Sequence, residues 1–393
     1  MEKKSVAYGV GDYLCMLLIF LFVADPTNTI FHLKNIVFVL FMGYNVVCLK
    51  ADWAKLSYPL IALTAVFVSW FFAVLNMAVI DAEDFKGVIT AFMVLFFLPW
   101  SHHYDIIRLA KIPILVTALL TLLLFWLIVL FPFTEGPIYA FMVRHDNTIM
   151  MSKRVFLGFQ MFCMYYKSTA AFMVVFGVAL YNTITREKRT WLDVVLTFAL
   201  LHMFVISGTR SSMMLPMLLA GIICFIYMRN RRYINYIVYP AVFVFMIAFF
   251  VLLAMLLMET DEPSNLVKYA HLTSYKELFT ENPLYMIIGQ GPGTYFYSLG
   301  FHKMTLKTEW TYLELLRNYG LFSLLILYVL LRPMFAVIKY FERNEVCIAV
   351  VLSYIIYLII AGTNPLLLSS TGMLVLLFMY NHWDKCEEKF GAE

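Results

Sequence analysis

The residues best suited to chemistry in this 393-residue chain are arginines set beside apolar runs. Arg210 lies in Val205-Ile-Ser-Gly-Thr-Arg-Ser-Ser212, a polar turn between two strongly apolar stretches. An arginine beside hydrocarbon must be hydrated, paired or bound to an anion. Snorkelling to lipid headgroups is the plain reading. Ser207, Thr209, Ser211 and Ser212 favour an anion, because hydroxyls and free amides at the start of a following helix add donors for a phosphate. A second positive group holds Arg144, His145, Lys153 and Arg154, with Asp146 as an internal counter-charge. Alone it is a solvated loop; together with Arg210 it suits a lipid pyrophosphate, whose oxygens match the planar arginine fork.

Two further groups follow. In Ile288-Gly-Gln-Gly-Pro-Gly-Thr294, the alternating Gly289, Gly291 and Gly293 permit a tight turn, a close backbone approach or exposed amides. Tyr295, Phe296 and Tyr297 come next. No strand precedes the glycines, so they form no dinucleotide-binding fingerprint. Glu309 and Tyr312 then share a helix face, as do Glu314 and Arg317. The second pair is predicted to be an ion pair that lets both charges be buried. Glu309 has no such partner in sequence, and a carboxylate at the mouth of a cavity is suited to general-base work.

The composition supplies a frame for these groups. Hydrophobic residues make up 63% of the chain and charged residues 14%, with a mean hydropathy of +0.82; soluble domains are roughly half apolar and a quarter charged. Apolar runs of about 20 residues, the helix length that crosses a hydrocarbon core, recur from end to end. They are continuous rather than alternating, which predicts helices instead of a barrel. We read an all-α, polytopic transmembrane bundle of about 12 spans in a single domain, residues 1–393. The expected spans are 8–24, 35–49, 57–79, 87–101, 112–131, 160–182, 191–206, 213–228, 236–257, 313–331, 346–362 and 366–381. The first run lacks a small-residue cleavage site, so a retained helix is expected rather than a signal peptide.

With the N-terminus inside, the clusters Arg186/Lys188/Arg189 and Arg229/Arg231/Arg232 face inward and both termini are cytoplasmic. Arg144, Lys153, Arg154, Arg210, Lys268, Lys276, Lys303 and Lys307 then fall outside, against the usual bias, and need a reason. The longest connection, 258–312, exceeds a mere link and is expected to fold over the outer face. Within it, Leu266 to Phe279 has the spacing of an amphipathic helix on the membrane surface. The six cysteines, Cys15, Cys48, Cys163, Cys224, Cys347 and Cys386, show neither a disulfide framework nor zinc spacing. No metal, no cofactor and no nucleic acid is expected.

In the order of its parts the chain resembles the bacterial O-antigen polymerases and O-antigen ligases. Over roughly residues 150–330, a Ser-Gly-Thr-Arg turn precedes a long outer loop, then Gly289-Gln-Gly-Pro-Gly293, then Glu309 through Tyr312-Leu-Glu-Leu-Leu to Gly320. The resemblance implies a glycosyltransferase of the inner membrane with a long periplasmic loop between spans 9 and 10. Glycan on undecaprenyl pyrophosphate is the substrate, and neither a nucleotide sugar nor a metal is required. The lipid bilayer, a chain-length regulator and a flippase are the implied partners. Arg154 and Arg210 match the family's pyrophosphate ligands by position. Ligases carry a third arginine in the loop, where this chain offers only Lys268 with His271 nearby. They also carry histidine and asparagine where this chain has Glu309-Trp310, which favours the polymerases.

On this reading Glu309 is the base, and Arg210 and Arg154 hold the pyrophosphate with Arg144 or Lys268 assisting. Tyr295, Tyr297, Trp310 and Tyr312 stack on sugars, and Gly289, Gly291 and Gly293 let the backbone come close. A ligase delivering glycan to lipid A core is the nearest alternative. A transporter of lipid-linked sugar is the alternative of another class, and it would call for inverted halves and midplane charges that the sequence lacks.

Overall fold

The computed structural model describes residues 9–145, 148–156, 159–185, 190–228 and 263–391. The chain is mostly α-helical, with two small antiparallel sheets. Helices α1 (Val10–Ala24), α2 (Lys34–Cys48), α3 (Ser57–Leu75), α4 (Ala82–Met93), α5 (Ile106–Leu130) and α6 (Glu135–Arg144) lead into a hairpin of β1 (Ile149–Phe156) and β2 (Phe159–Tyr166). After it come α7 (Met173–Ile184), α8 (Trp191–Ile206) and α9 (Arg210–Met228). The long loop holds α10 (Pro263–Glu281), α11 (Tyr285–Ile288), β3 (Phe296–Ser298) and β4 (Lys303–Thr305). Then follow α12 (Thr311–Tyr319), α13 (Ser323–Ile338), α14 (Val346–Gly362) and α15 (Ser370–Phe390).

Among the described residues, five helical stretches are long and apolar enough to cross a membrane: Trp53–Leu75, Ala82–His103, Ile106–Leu130, Arg210–Tyr227 and Thr311–Ile338. The environment they need is visible on α5. One face buries Ile114, Ala118, Leu122 and Phe125. The other exposes Val116, Leu119, Leu120, Leu123 and Leu130, apolar where a helix in water would be polar. Such a surface suits lipid, and the chain is a membrane-associated protein of many helices.

Helices appear within a few residues of the spans expected at 35–49, 57–79, 191–206 and 346–362. The span expected at 236–257 lies outside the described residues, as do Asp146 and the clusters Arg186/Lys188/Arg189 and Arg229/Arg231/Arg232. The sixth span differs from expectation. Residues 160–166 are not its first turns but strand β2, paired antiparallel with β1 so that Arg154 faces Met161. The aromatic residues of Phe159–Tyr166 suit a pleated surface, and the helix begins only at Met173. The chain is therefore not wholly α. The last helix also runs to Phe390, beyond the expected end at 381.

Helix α15 is the axis of the bundle, buried at every residue from Met373 to Tyr380. Polar bonds fasten it to its neighbours. Thr371 Oγ1 donates to the Phe22 carbonyl at 3.2 Å and the Tyr380 hydroxyl to the Val329 carbonyl at 2.9 Å. Asn381 Nδ2 donates to the carbonyls of Ser101 and Tyr104 at 2.8 and 2.9 Å, while its Oδ1 accepts from the Ile106 amide at 3.0 Å. Backbone groups freed between two helices thus find partners away from water.

Contacts of helix ends and connecting segments gather at two ends. At one, Lys55 pairs with Asp384 at 2.7 Å, Tyr181 donates to Glu345 at 3.3 Å, and Arg343 donates to the Phe390 carbonyl at 2.9 Å. At the other, Thr27 meets Thr148 at 3.0 Å, the Asp81 amide donates to the Gly293 carbonyl at 2.7 Å, and Thr311 donates to the Asn364 carbonyl at 2.7 Å.

Where α7 crosses α14, small residues let the backbones close in. A Cβ on Gly177 would stand 1.8 Å from Ser353 Oγ and 3.3 Å from the Ala349 carbonyl. Gly177→Ala is expected to cost about 1–3 kcal/mol, seen as a lower thermal midpoint in detergent. Ser353→Ala in the same chain should recover part of the loss. An unchanged midpoint for Gly177→Ala would show that the helices are not this close.

Candidate functional site

One turn of α12 separates Glu314 from Arg317, and the expected ion pair forms. Arg317 is fully buried and engages every side-chain nitrogen. Its Nε and Nη2 donate to Glu314 Oε2 at 3.0 and 2.7 Å. Nη1 donates to Gln290 Oε1 at 2.8 Å and the Thr294 carbonyl at 3.0 Å, and Nη2 also donates to the Leu306 carbonyl at 2.7 Å. The guanidinium carbon sits 4.5 Å from the centre of the Phe296 ring. Glu314 Oε1 accepts from the Tyr275 hydroxyl at 2.5 Å and the Thr308 amide at 3.0 Å. One charge pair thereby fastens α10, the glycine turn and the approach to α12.

The glycine turn is pressed into this frame. Gly289, Gly291 and Gly293 have φ of 79°, 100° and 76°, a region that L side chains rarely adopt. A Cβ at Gly289 would lie 2.4 Å from the Asn318 carbonyl oxygen, one at Gly291 would lie 2.3 Å from Ala73 Cβ, and one at Gly293 would lie 2.8 Å from the Asp81 carbonyl oxygen. The close approach they permit is therefore to α12, α3 and the start of α4. The neighbouring aromatics also have partners inside the protein. Tyr295 donates to Asp81 Oδ2 at 2.9 Å, and Tyr312 donates to the Leu358 carbonyl at 2.8 Å while remaining 42% exposed.

On the rim of the frame, Lys268 Nζ lies 3.3 Å from Glu309 Oε2, both side chains being partly exposed. Trp310 Nε1 holds the Lys268 carbonyl at 3.0 Å. Glu309, without a partner in sequence, thus has one in the fold. His271, one turn further along α10, is fully buried instead of facing the rim. Its Nδ1 meets Ser298 Oγ at 2.9 Å, and its Nε2 has no hydrogen-bond partner among the described residues. Burial lowers its pKa, with Glu309 and Glu314 opposing.

Arg154, on β1, donates from Nη1 to the Gly208 carbonyl at 3.1 Å and from Nε to Ser152 Oγ at 3.3 Å. Gly208 has φ of 67° and packs against Cys163 of β2, whose Sγ would lie 2.4 Å from a Cβ there. The hairpin is thus locked to the polar turn. Arg210 opens α9 and donates from Nη1 to Asn265 Oδ1 of α10 at 3.4 Å. Asn265 and Lys268 are one helical turn apart, so Arg210 and the Lys268–Glu309 pair sit at successive turns of α10, while Arg154 meets the polar turn at Gly208, two residues before Arg210.

Arg144 does not join them by any contact among the described residues. It is exposed at the end of α6, and β1 then carries the chain about 17 Å from Ile149 to Arg154. Its neighbour His145 meets the Thr29 carbonyl through Nδ1 at 2.7 Å. Asn265, Tyr275 and Thr308 escaped the sequence reading. They are small or aromatic residues outside any motif, and only their partners give them meaning.

Arg317→Ala leaves Glu314 buried without its cation and is expected to cost about 3–5 kcal/mol, read as faster proteolysis between residues 282 and 310. For His271, burial favours the neutral ring, so the unfolded loop binds the extra proton. Loop stability should therefore fall as pH drops below the ordinary value of 6.5 and be constant well above it. Amide exchange measured on both sides of that pH checks this, and His271→Gln should abolish the dependence. Against known proteins, the chain matches no family model, no curated protein and no solved structure.

Proposed function

We propose that the chain is a metal-independent membrane glycosyltransferase that polymerises lipid-linked oligosaccharide repeats, O-antigen or a related surface polysaccharide. The observation that carries this reading is the placing of Arg210 and the Lys268–Glu309 pair at successive turns of α10, with Arg154 held to the turn that leads into Arg210. It rests on the contacts of Arg154 with Gly208, Arg210 with Asn265, and Lys268 with Glu309. Cations of this kind suit a pyrophosphate, and a carboxylate beside them suits a hydroxyl nucleophile.

In the proposed reaction, a hydroxyl of the next lipid-linked repeat attacks the reducing-end carbon of the growing glycan. Glu309 takes the hydroxyl proton as the new glycosidic bond forms. The bond from that carbon to undecaprenyl pyrophosphate breaks, and its electron pair leaves with the phosphate oxygen. Arg154, Arg210 and Lys268 stabilise the charge that builds there. An arriving phosphate competes with Glu309 for Lys268, which frees the carboxylate at the moment the donor is bound.

The grouping of helix ends and connecting segments at two ends supports alternating spans, with Arg154, Arg210, Lys268 and Glu309 at the outer, periplasmic end and both termini cytoplasmic. A glutamate in place of the ligase histidine supports polymerase over ligase chemistry.

In a deletion strain, loss of a polymerase leaves core capped by single repeats on a lipopolysaccharide gel, whereas bare core would indicate a ligase. Glu309→Gln should lower polymerisation of purified lipid-linked repeats by about 10²–10⁴-fold; a transporter would tolerate it. A normal rate with Arg210→Ala would overturn the pyrophosphate assignment.

A further inference from the structure

At the end of the bundle away from Glu309, three metal-ligating side chains converge, one of them distant in sequence from the other two. Cys347 lies in the first turn of α14, and His382 and Cys386 lie one turn apart on the same face of α15. Cys347 Sγ is 3.3 Å from Cys386 Sγ, and Cys386 Sγ is 3.7 Å from His382 Nε2. All three donor atoms lie within 4.8 Å of one another. Both cysteines are buried and His382 is half-buried.

We propose that Cys347, His382 and Cys386 bind a thiophilic divalent cation, zinc by the chemistry of the donors, with a fourth position left to an exogenous ligand. Tetrahedral zinc, about 2.3 Å from sulfur and about 2.0–2.1 Å from nitrogen, sets its donors about 3.5–3.8 Å apart. The two separations that involve Cys386 reach that geometry with shifts of about half an ångström or less, and the third, within 4.8 Å, closes with about one ångström at most. Two thiolates also balance the charge of a divalent ion, so the filled site adds no net charge to a mostly buried place.

A disulfide explains the geometry less well. Bonded sulfurs lie about 2.05 Å apart, and the pairing gives His382 no part. A metal uses all three groups. Bound there, it clamps the start of α14 to the end of α15, where Arg343 already reaches the Phe390 carbonyl. This proposal is independent of the chemistry assigned to Glu309.

The test uses the full-length protein in detergent, reduced, stripped with a chelator and titrated with cobalt(II), then with zinc. Expected are one cobalt per chain, a thiolate-to-cobalt charge-transfer band with tetrahedral visible bands, and loss of both when zinc is added. Cys347→Ser and Cys386→Ser should each abolish the charge-transfer band of the tight site, and His382→Ala should weaken binding. Wild-type protein decides the matter even if a variant fails to fold. Absence of a thiolate-cobalt band in the monodisperse wild type would overturn the proposal. So would its persistence in the double cysteine variant, or the isolation of a Cys347–Cys386 disulfide in place of two thiols.

Discussion

A charge taken out of water beside a lipid phase must be met in full or it unfolds its surroundings, and Arg317 is met in full. Its three nitrogens reach Glu314, Gln290, Thr294 and Leu306, and Glu314 in turn holds Tyr275 and Thr308. Residues on either side of the glycine turn are thereby bound to one point. That point works together with the seating of the glycine turn against Asp81 and α3, since the segment's own apolar cluster among the described residues is small: Tyr275, Phe279 and Phe296 with a few partly buried neighbours. The long loop is thus a wall built on an ion pair, not a tether between spans.

The two carboxylates of α12 and its approach have different parts because of their surroundings. Glu314 is buried and saturated with donors, so it has no capacity left for a substrate. Glu309 stands on the rim, partly exposed, with Lys268 as its ion-pair partner among the described residues. A pair of that kind can be opened by a competing anion at small cost, since exposed pairs contribute only about 0–1 kcal/mol.

The same contrast runs along α15. Its middle is apolar and wholly buried, while its ends carry the polar fastenings: Thr371 at one, and Asn381, Asp384 and Cys386 at the other. Everything that packs on this helix inherits its position from those ends. The cysteine and histidine cluster is therefore well placed to stiffen the bundle without touching the rim around Glu309.

Apolar runs were legible as helices because a helix satisfies its own backbone, so its existence in lipid depends on local composition alone. The Glu314 and Arg317 pair was legible for a similar reason, since three-residue spacing on a helix is a local rule. The hairpin at Ile149–Phe156 and Phe159–Tyr166 was not, because an apolar aromatic run reads equally as helix or strand until a partner strand is present. Nor was the role of Gly289, Gly291 and Gly293. Their φ angles need glycine, but only packing shows that α12, α3 and Asp81 lie close against them. The junctions of Lys268 with Glu309, Arg154 with Gly208, and Cys347 with Cys386 join residues distant in sequence. By itself the sequence determined which segments prefer lipid and which side chains could carry charge. Tertiary structure alone decided which charges distant in sequence meet, because such contacts are set by how helices pack, and no local pattern encodes that.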